Sequence, residues 1–359
     1  MTPECVDYRL DVQTTIRVGQ LVNEENWRYA TWPQRPRERS SRCILNAICS
    51  YEVIRLPKLS YAAALFAIAL ALHAESVPHL SGVVHTEAVD IGYETFGTQG
   101  GALPVIAVNG GPGLSHAYMM MNDLWQQVAL HRLVILYDQR GTGASRHVQK
   151  GAPQDMDAQV ADLEAVRAHL GLEKVALVGD SYGGLLVMAY AAAHPQHVAK
   201  MILSDSAPPA WKDMVHLLPQ TFPDVEEQAD DEKKSLEANP DAAARSELRN
   251  HFRMIFYSPE KRDAYMARMG DLGYEPAVAE AVSKATENID LTQSLPGFHF
   301  PVLVITGRYD MNVAPLTAWR MAHAIPGAKI VFFEQSGHLP AFEEPAKYRS
   351  VLESFLNDR

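Results

Sequence analysis

The chain has 359 residues, 47% of them apolar and 21% charged, with a net charge of −11 at pH 7. That balance describes a soluble globular protein with enough apolar side chains for a large core. No lysine- or arginine-rich block follows residue 75, which argues against a nucleic-acid partner, because phosphate binding needs clustered cations.

Residues 1–57 show little regular periodicity, and all three cysteines, Cys5, Cys43 and Cys49, lie in the first fifty residues. Neither a disulfide framework nor a cysteine metal site can be built from the remainder. A basic flank from Arg55 to Lys58 leads into the apolar run Tyr61 to Leu72, then His73-Ala74-Glu75-Ser76. This is the make-up of a secretory signal peptide over 53–74, cut after Ala71 or Ala74. The run is too short for a stable membrane span, which takes about 20 residues. The expectation is therefore a non-core extension over 1–52, a signal peptide, and a periplasmic or secreted protein. An alanine-rich helix in a cytoplasmic protein is the competing reading.

Beyond residue 75, strands and helices alternate. Val83 to His85 and Val89 to Tyr93 read as short opening strands. Pro104 to Val108 is a buried strand running into Asn109-Gly110-Gly111-Pro112-Gly113. Glycines placed directly after a strand let backbone approach a small group, which suits an oxyanion donor. Pro112 lacks an N–H, so the candidate donor is the Gly111 amide. Leu133 to Tyr137 is the next strand, ending in Asp138-Gln139-Arg140-Gly141-Thr142-Gly143; Asp138 and Arg140 are expected to brace this loop. Met156 to Leu170 has helical spacing and stops at Gly171.

Val175 to Val178 is a strand buried on both faces, and Leu185 to Ala192 is an apolar helix. Between them lies Gly179-Asp180-Ser181-Tyr182-Gly183. A sharp strand-to-helix turn pushes its central side chain out and crowds the positions two before and two after. Gly179 and Gly183 meet that demand only if Ser181 is the apex, so Ser181 is the candidate nucleophile and the Tyr182 amide the second oxyanion donor. Ala199 to Leu203 is a further strand, followed by Asp205. Pro301 to Thr306 leads to Asp310, Leu316 to Ala324 is helical, and Ala328 to Phe333 leads to Ser336-Gly337-His338. A helix through Tyr348, Val351 and Phe355 closes the chain. The alternation implies a mostly parallel sheet covered on both faces.

Of fourteen histidines, His338 stands out because it follows a strand's carboxyl end, where reacting groups in open α/β sheets gather. A serine hydroxyl is a poor nucleophile until a base takes its proton, the role expected of His338. Asp310 would hold the other ring N–H and stabilise the imidazolium, with Asp205 as the alternative acid.

These stretches, with Gly307-Arg308-Tyr309-Asp310, resemble the α/β-hydrolase fold superfamily over about 83–206 and 300–358. Within it they resemble the proline iminopeptidases and their tricorn-interacting aminopeptidase relatives. That branch usually opens its oxyanion motif with histidine, where this chain has Asn109. The resemblance implies no metal and no organic cofactor. The strand–helix alternation is interrupted from Ala207 to Phe298, which places the core at 75–206 and 299–359 and a helical cap at 207–298.

The cap is about ninety largely helical residues, too long for a loop. Trp211, Met214, Leu217, Leu218, Phe222, Phe252, Met254, Phe256 and Tyr257 are expected to divide between the cap's own core and a pocket wall. The resembling aminopeptidases grip the substrate's ammonium with cap carboxylates. Glu226, Glu227 and Glu247 are the residues available for that task, although an acidic run is ordinarily a solvated face. The expected function is a serine hydrolase that frees N-terminal proline or a small apolar residue from short peptides through an acyl-enzyme. An esterase, amidase or lactonase on small acyl substrates is the nearest alternative, and a slow-turnover ligand receptor on the same scaffold is the alternative of another class.

Overall fold

The computed structural model describes residues 77–358. The expected extension over 1–52 and signal peptide over 53–74 lie outside the described residues.

Eight strands form one sheet in the order β1-β2-β4-β3-β5-β6-β7-β8. They are β1 (His79–His85), β2 (Asp90–Phe96), β3 (Val105–Val108), β4 (Val134–Tyr137), β5 (Val175–Asp180), β6 (Val198–Ser204), β7 (Val302–Gly307) and β8 (Lys329–Phe333). The first two pairings, β1 with β2 and β2 with β4, are antiparallel; every later one is parallel. Every residue of β3, β4, β5 and β7 is buried, as expected of central parallel strands covered on both faces. The opening strands are longer than their apolar runs because antiparallel pairing at an edge tolerates polar residues such as Ser81 and Glu94.

The helices are α1 (Leu124–Val128), α2 (Met156–His169), α3 (Tyr182–Ala193), α4 (Leu218–Thr221), α5 (Pro223–Ser235), α6 (Pro240–Met254), α7 (Pro259–Arg268), α8 (Pro276–Thr286), α9 (Pro315–Ala324), α10 (Pro340–Glu343) and α11 (Pro345–Asn357). Two apolar cores form, one on each sheet face. The first packs α2, α3 and α9 side chains such as Leu163, Leu186 and Met321. The second packs Trp125 of α1 and Tyr348, Leu352 and Phe355 of α11. Among the described residues, no helix is long and apolar enough to cross a membrane.

Helices α4 to α8 fall between β6 and β7. A third apolar cluster ties them to the sheet's loops: Leu218, Phe252, Ile255 and Tyr265 pack with Leu114, Tyr118 and Leu339. The expected apolar residues divide. Trp211, Met214 and Phe252 line the cavity described below, whereas Leu217 and Tyr257 are exposed.

Candidate active site

The site gathers at the carboxyl ends of β3, β5, β7 and β8. Ser181 is the residue between β5 and α3, with φ 52° and ψ −121°. A non-glycine residue in that region is strained and persists only where its surroundings hold it. The neighbours explain the sequence. A Cβ on Gly179 would lie 2.5 Å from the Gly183 carbonyl oxygen, and one on Gly183 would lie 2.3 Å from that of Val108. Those obstacles are backbone, so Gly183→Ala is expected to lower stability by about 1–3 kcal/mol, read as a reduced urea midpoint.

The structure brings Ser181, His338 and Asp310 together. His338 Nε2 lies 3.0 Å from Ser181 Oγ, and His338 Nδ1 lies 2.7 Å from Asp310 Oδ2. A carboxylate only accepts, so the ring proton sits on Nδ1 and Nε2 is left to accept from the serine hydroxyl. Burial alone would lower the His338 pKa; the Asp310 charge and hydrogen bond outweigh it, and the net shift is upward. The other Asp310 oxygen accepts the Asn312 and Val313 amides, each at 2.9 Å.

Asp205 is close by but differently occupied. It also has a positive φ, 44°, and its Oδ1 accepts the Gly307 amide at 2.8 Å. Burial, then the neighbouring Asp310 charge, raise its pKa well above the ordinary carboxyl value. It makes no hydrogen bond to His338 among the described residues, although its carboxylate, that of Asp310 and the His338 ring lie within 4.8 Å of one another.

Gly111 and Tyr182 both line the same cavity as Ser181. Neither amide donates to a backbone carbonyl among the described residues, so both are available to an incoming oxygen. Asp138 and Arg140 brace the loop through backbone and other side chains rather than by pairing with each other. Arg140 pairs with Asp162 through two bonds of 2.7 Å. Asp138 instead accepts from the His116 ring at 2.7 Å and the Ala144 amide at 2.7 Å. Arg140 reaches away from Asp138 because α2 supplies both a carboxylate and the Ala158 carbonyl.

The cavity has a volume of about 480 Å³, within the range of small-molecule sites. Its far wall is the helical insert: Glu247, Leu248, His251 and Phe252 from α6, with Tyr274 and Ala279. The insert is bonded to three of the four site loops. Glu275 N–H donates to the Gly113 carbonyl, Leu217 N–H to that of Met311, and His338 N–H to that of Ile255. Of the acidic candidates, Glu247 reaches the cavity lining, and Glu226 and Glu227 do not. Glu247 also pairs with Lys233 at 3.0 Å.

Four further residues carry no motif of their own. His251 lines the cavity, and burial lowers its pKa to about 3, so its imidazole is neutral. Glu343, pushed up to about 7 by burial, accepts the Tyr257, Ser258 and Gly337 amides and so joins the insert to the histidine loop. Tyr118 and Asp180 are bonded to each other beneath the serine. The adjacency of Asp180 to Ser181 is the one signal that pointed at any of them.

The chain matches the alpha/beta hydrolase fold family over residues 104–345. It is 32% identical over 268 residues to a proline iminopeptidase of Lactobacillus delbrueckii subsp. bulgaricus, covering 70% of this chain and 89% of that one. A proline iminopeptidase of Heyndrickxia coagulans is 30% identical over 290 residues, covering 78% and 99%. Among solved structures, a thermophilic esterase from Thermogutta terrifontis superposes with a TM-score of 0.59 at 25% identity, covering 77% of this chain and 98% of that one. A bromoperoxidase from Bacillus anthracis gives 0.60 at 22% identity, with 78% and 100% covered, and shows the shared fold.

Proposed function

Because this chain belongs to the α/β-hydrolase fold family, and is a hydrolase that resembles the proline iminopeptidases within it, we propose that it is a serine aminopeptidase releasing N-terminal proline or a small apolar residue from short peptides. The observation that carries the chemistry is the chain of bonds from Ser181 through His338 to Asp310.

Ser181 Oγ attacks the substrate carbonyl carbon while its proton passes to His338 Nε2. Asp310 stabilises the resulting imidazolium, and the Gly111 and Tyr182 amides hold the oxyanion. The C–N bond then breaks, His338 returns the proton to the leaving amine, and a water repeats the sequence on the acyl-enzyme. No step calls for a metal or an organic cofactor.

The substrate class is supported by the curated relatives' names and by Glu247 at the cavity wall. A carboxylate there can take the ammonium of a bound N-terminus. Glu247→Gln is expected to raise KM on prolyl-arylamides about tenfold with little change in kcat, as loss of one charge-assisted bond implies. A panel of prolyl-, alanyl- and leucyl-arylamides against short acyl esters tests the reading itself. Ester turnover with no arylamide turnover would leave the esterase reading, which the Thermogutta terrifontis likeness and the Lys233–Glu247 pair favour.

A further inference from the structure

The mechanism leaves a buried hydroxyl and a buried carboxylate unused beside the nucleophile. Tyr118 is 6% exposed and Asp180 7%. The Gly110 N–H donates to the Tyr118 hydroxyl at 2.5 Å, and that hydroxyl donates to Asp180 Oδ2 at 2.5 Å. Asp180 immediately precedes Ser181, and Gly110 immediately precedes Gly111. The two bonds therefore connect the turn that presents the nucleophile to the loop that presents an oxyanion donor.

We propose that Tyr118 and Asp180 are positioning residues, forming a strut that aims the Gly111 amide at the developing oxyanion. This rests on the reading of Ser181 as nucleophile and Gly111 as donor. The physical need is plain from the loop. Gly110 and Gly111 are consecutive glycines, and Gly111 has φ 124°, so the backbone has the greatest freedom where its direction matters most. An amide donor is effective only if it already points at the site where charge will form.

Position 110 has no room for a side chain that could hold the loop. A Cβ on Gly110 would lie 2.7 Å from Ser181 Cβ and 2.8 Å from the Tyr118 hydroxyl. The strut acts from outside instead. A second tie comes from Asn109, whose Nδ2 donates to the Gly110 carbonyl at 2.9 Å and to that of Leu114 at 2.8 Å. The Gly110 carbonyl and the Gly111 N–H belong to one peptide unit, which Asn109 holds through that carbonyl, while Tyr118 holds the unit just before it through the Gly110 N–H, so the two ties fix consecutive peptide planes leading to the donor. Burial also holds the Tyr118 hydroxyl protonated well past neutral pH. Burial raises Asp180 only to about 6, so at pH 7 a donor faces a carboxylate.

The test is Tyr118→Phe, which removes one oxygen, read by the rate at which a fluorophosphonate labels Ser181. That probe reports the oxyanion site without assuming any substrate. Kinetics follow on whichever arylamide or ester the wild type turns over. Complete loss of one oxyanion donor costs about 10²–10³-fold in kcat. With the Asn109 tie intact, the expected loss is about 10–100-fold, in both the labelling rate and kcat, with KM changed by less than about threefold. Asp180→Asn keeps an acceptor for the hydroxyl and should retain more activity than Asp180→Ala, a rescue that a merely space-filling role would not give. Labelling of Tyr118→Phe within twofold of wild type, a loss confined to KM, or equal loss in Asp180→Asn and Asp180→Ala would overturn the strut. Ser181→Ala is the control. If it still labels, the nucleophile reading has failed, and if it does not, the failure belongs to the strut alone.

Discussion

Ser181→Ala is expected to lower kcat by a factor on the order of 10⁶, on any substrate the wild type hydrolyses. Its fold should be almost untouched. The hydroxyl makes one side-chain bond, to His338 Nε2 at 3.0 Å, and a typical hydrogen bond contributes about 1 kcal/mol to stability. The strained backbone at φ 52° is held by the packing of Gly179, Gly183 and Gly184 against their neighbours, none of which involves the serine oxygen. The measurement is kcat beside a thermal unfolding curve. A variant that kept more than about a thousandth of wild-type activity would point to a nucleophile other than Ser181. One that unfolded with loss of activity would show that the turn depends on the hydroxyl in a way the contacts do not indicate.

The elements and the convergent groups were legible in the sequence for the same reason. The central strands are largely apolar runs, and each group of the proposed triad follows a strand within a few residues, so local pattern places Ser181, Asp310 and His338 at one end of the sheet. Parallel pairing then sets those ends side by side, as the register of Asp180 with Ser204 and of Ser204 with Ile305 illustrates. What local pattern could not supply is partner choice across long separations. Asp138 and Arg140 sit two residues apart, yet each bonds elsewhere, Arg140 to a carboxylate on α2 and Asp138 to His116. Tyr118 meets Asp180 across 62 residues, with no spacing to announce it. In the insert, helical periodicity marks which residues share a face, but the direction of that face is set by bonds to distant loops such as Glu275 to Gly113. Glu247 and Glu227 therefore read alike in the sequence, and only the first reaches the cavity.

Two carboxyls lie at the histidine, and their surroundings separate them. Asp310 receives three N–H groups: the His338 ring at 2.7 Å and two backbone amides at 2.9 Å. Substituting asparagine replaces one acceptor with an NH₂ donor. Turned toward His338, that donor selects the tautomer with the proton on Nε2, which cannot accept from Ser181. Such a change leaves geometry intact and costs about 10⁴-fold in kcat in an enzyme of the same chemistry, and a loss of that size is expected for Asp310→Asn. Asp205 receives a single backbone amide and lies 3.3 Å from the Ser204 hydroxyl. Burial and the Asp310 charge raise its pKa well above the ordinary value, which favours the protonated form. Asparagine is close to an isostere of that form, and Asp205→Asn should change kcat by less than about tenfold. The pH profile supplies an independent check. His338 must be neutral to accept a proton, and its pKa is raised, so the acid limb of wild-type kcat/KM should lie above the ordinary histidine value of about 6.5. Removing the Asp310 charge leaves burial as the dominant influence on His338, and the limb should move to lower pH in Asp310→Asn but stay in place in Asp205→Asn. If the two variants exchanged these behaviours, Asp205 would be the acid, and the 2.7 Å contact between Asp310 and His338 would have to be assigned to holding the ring rather than to its charge.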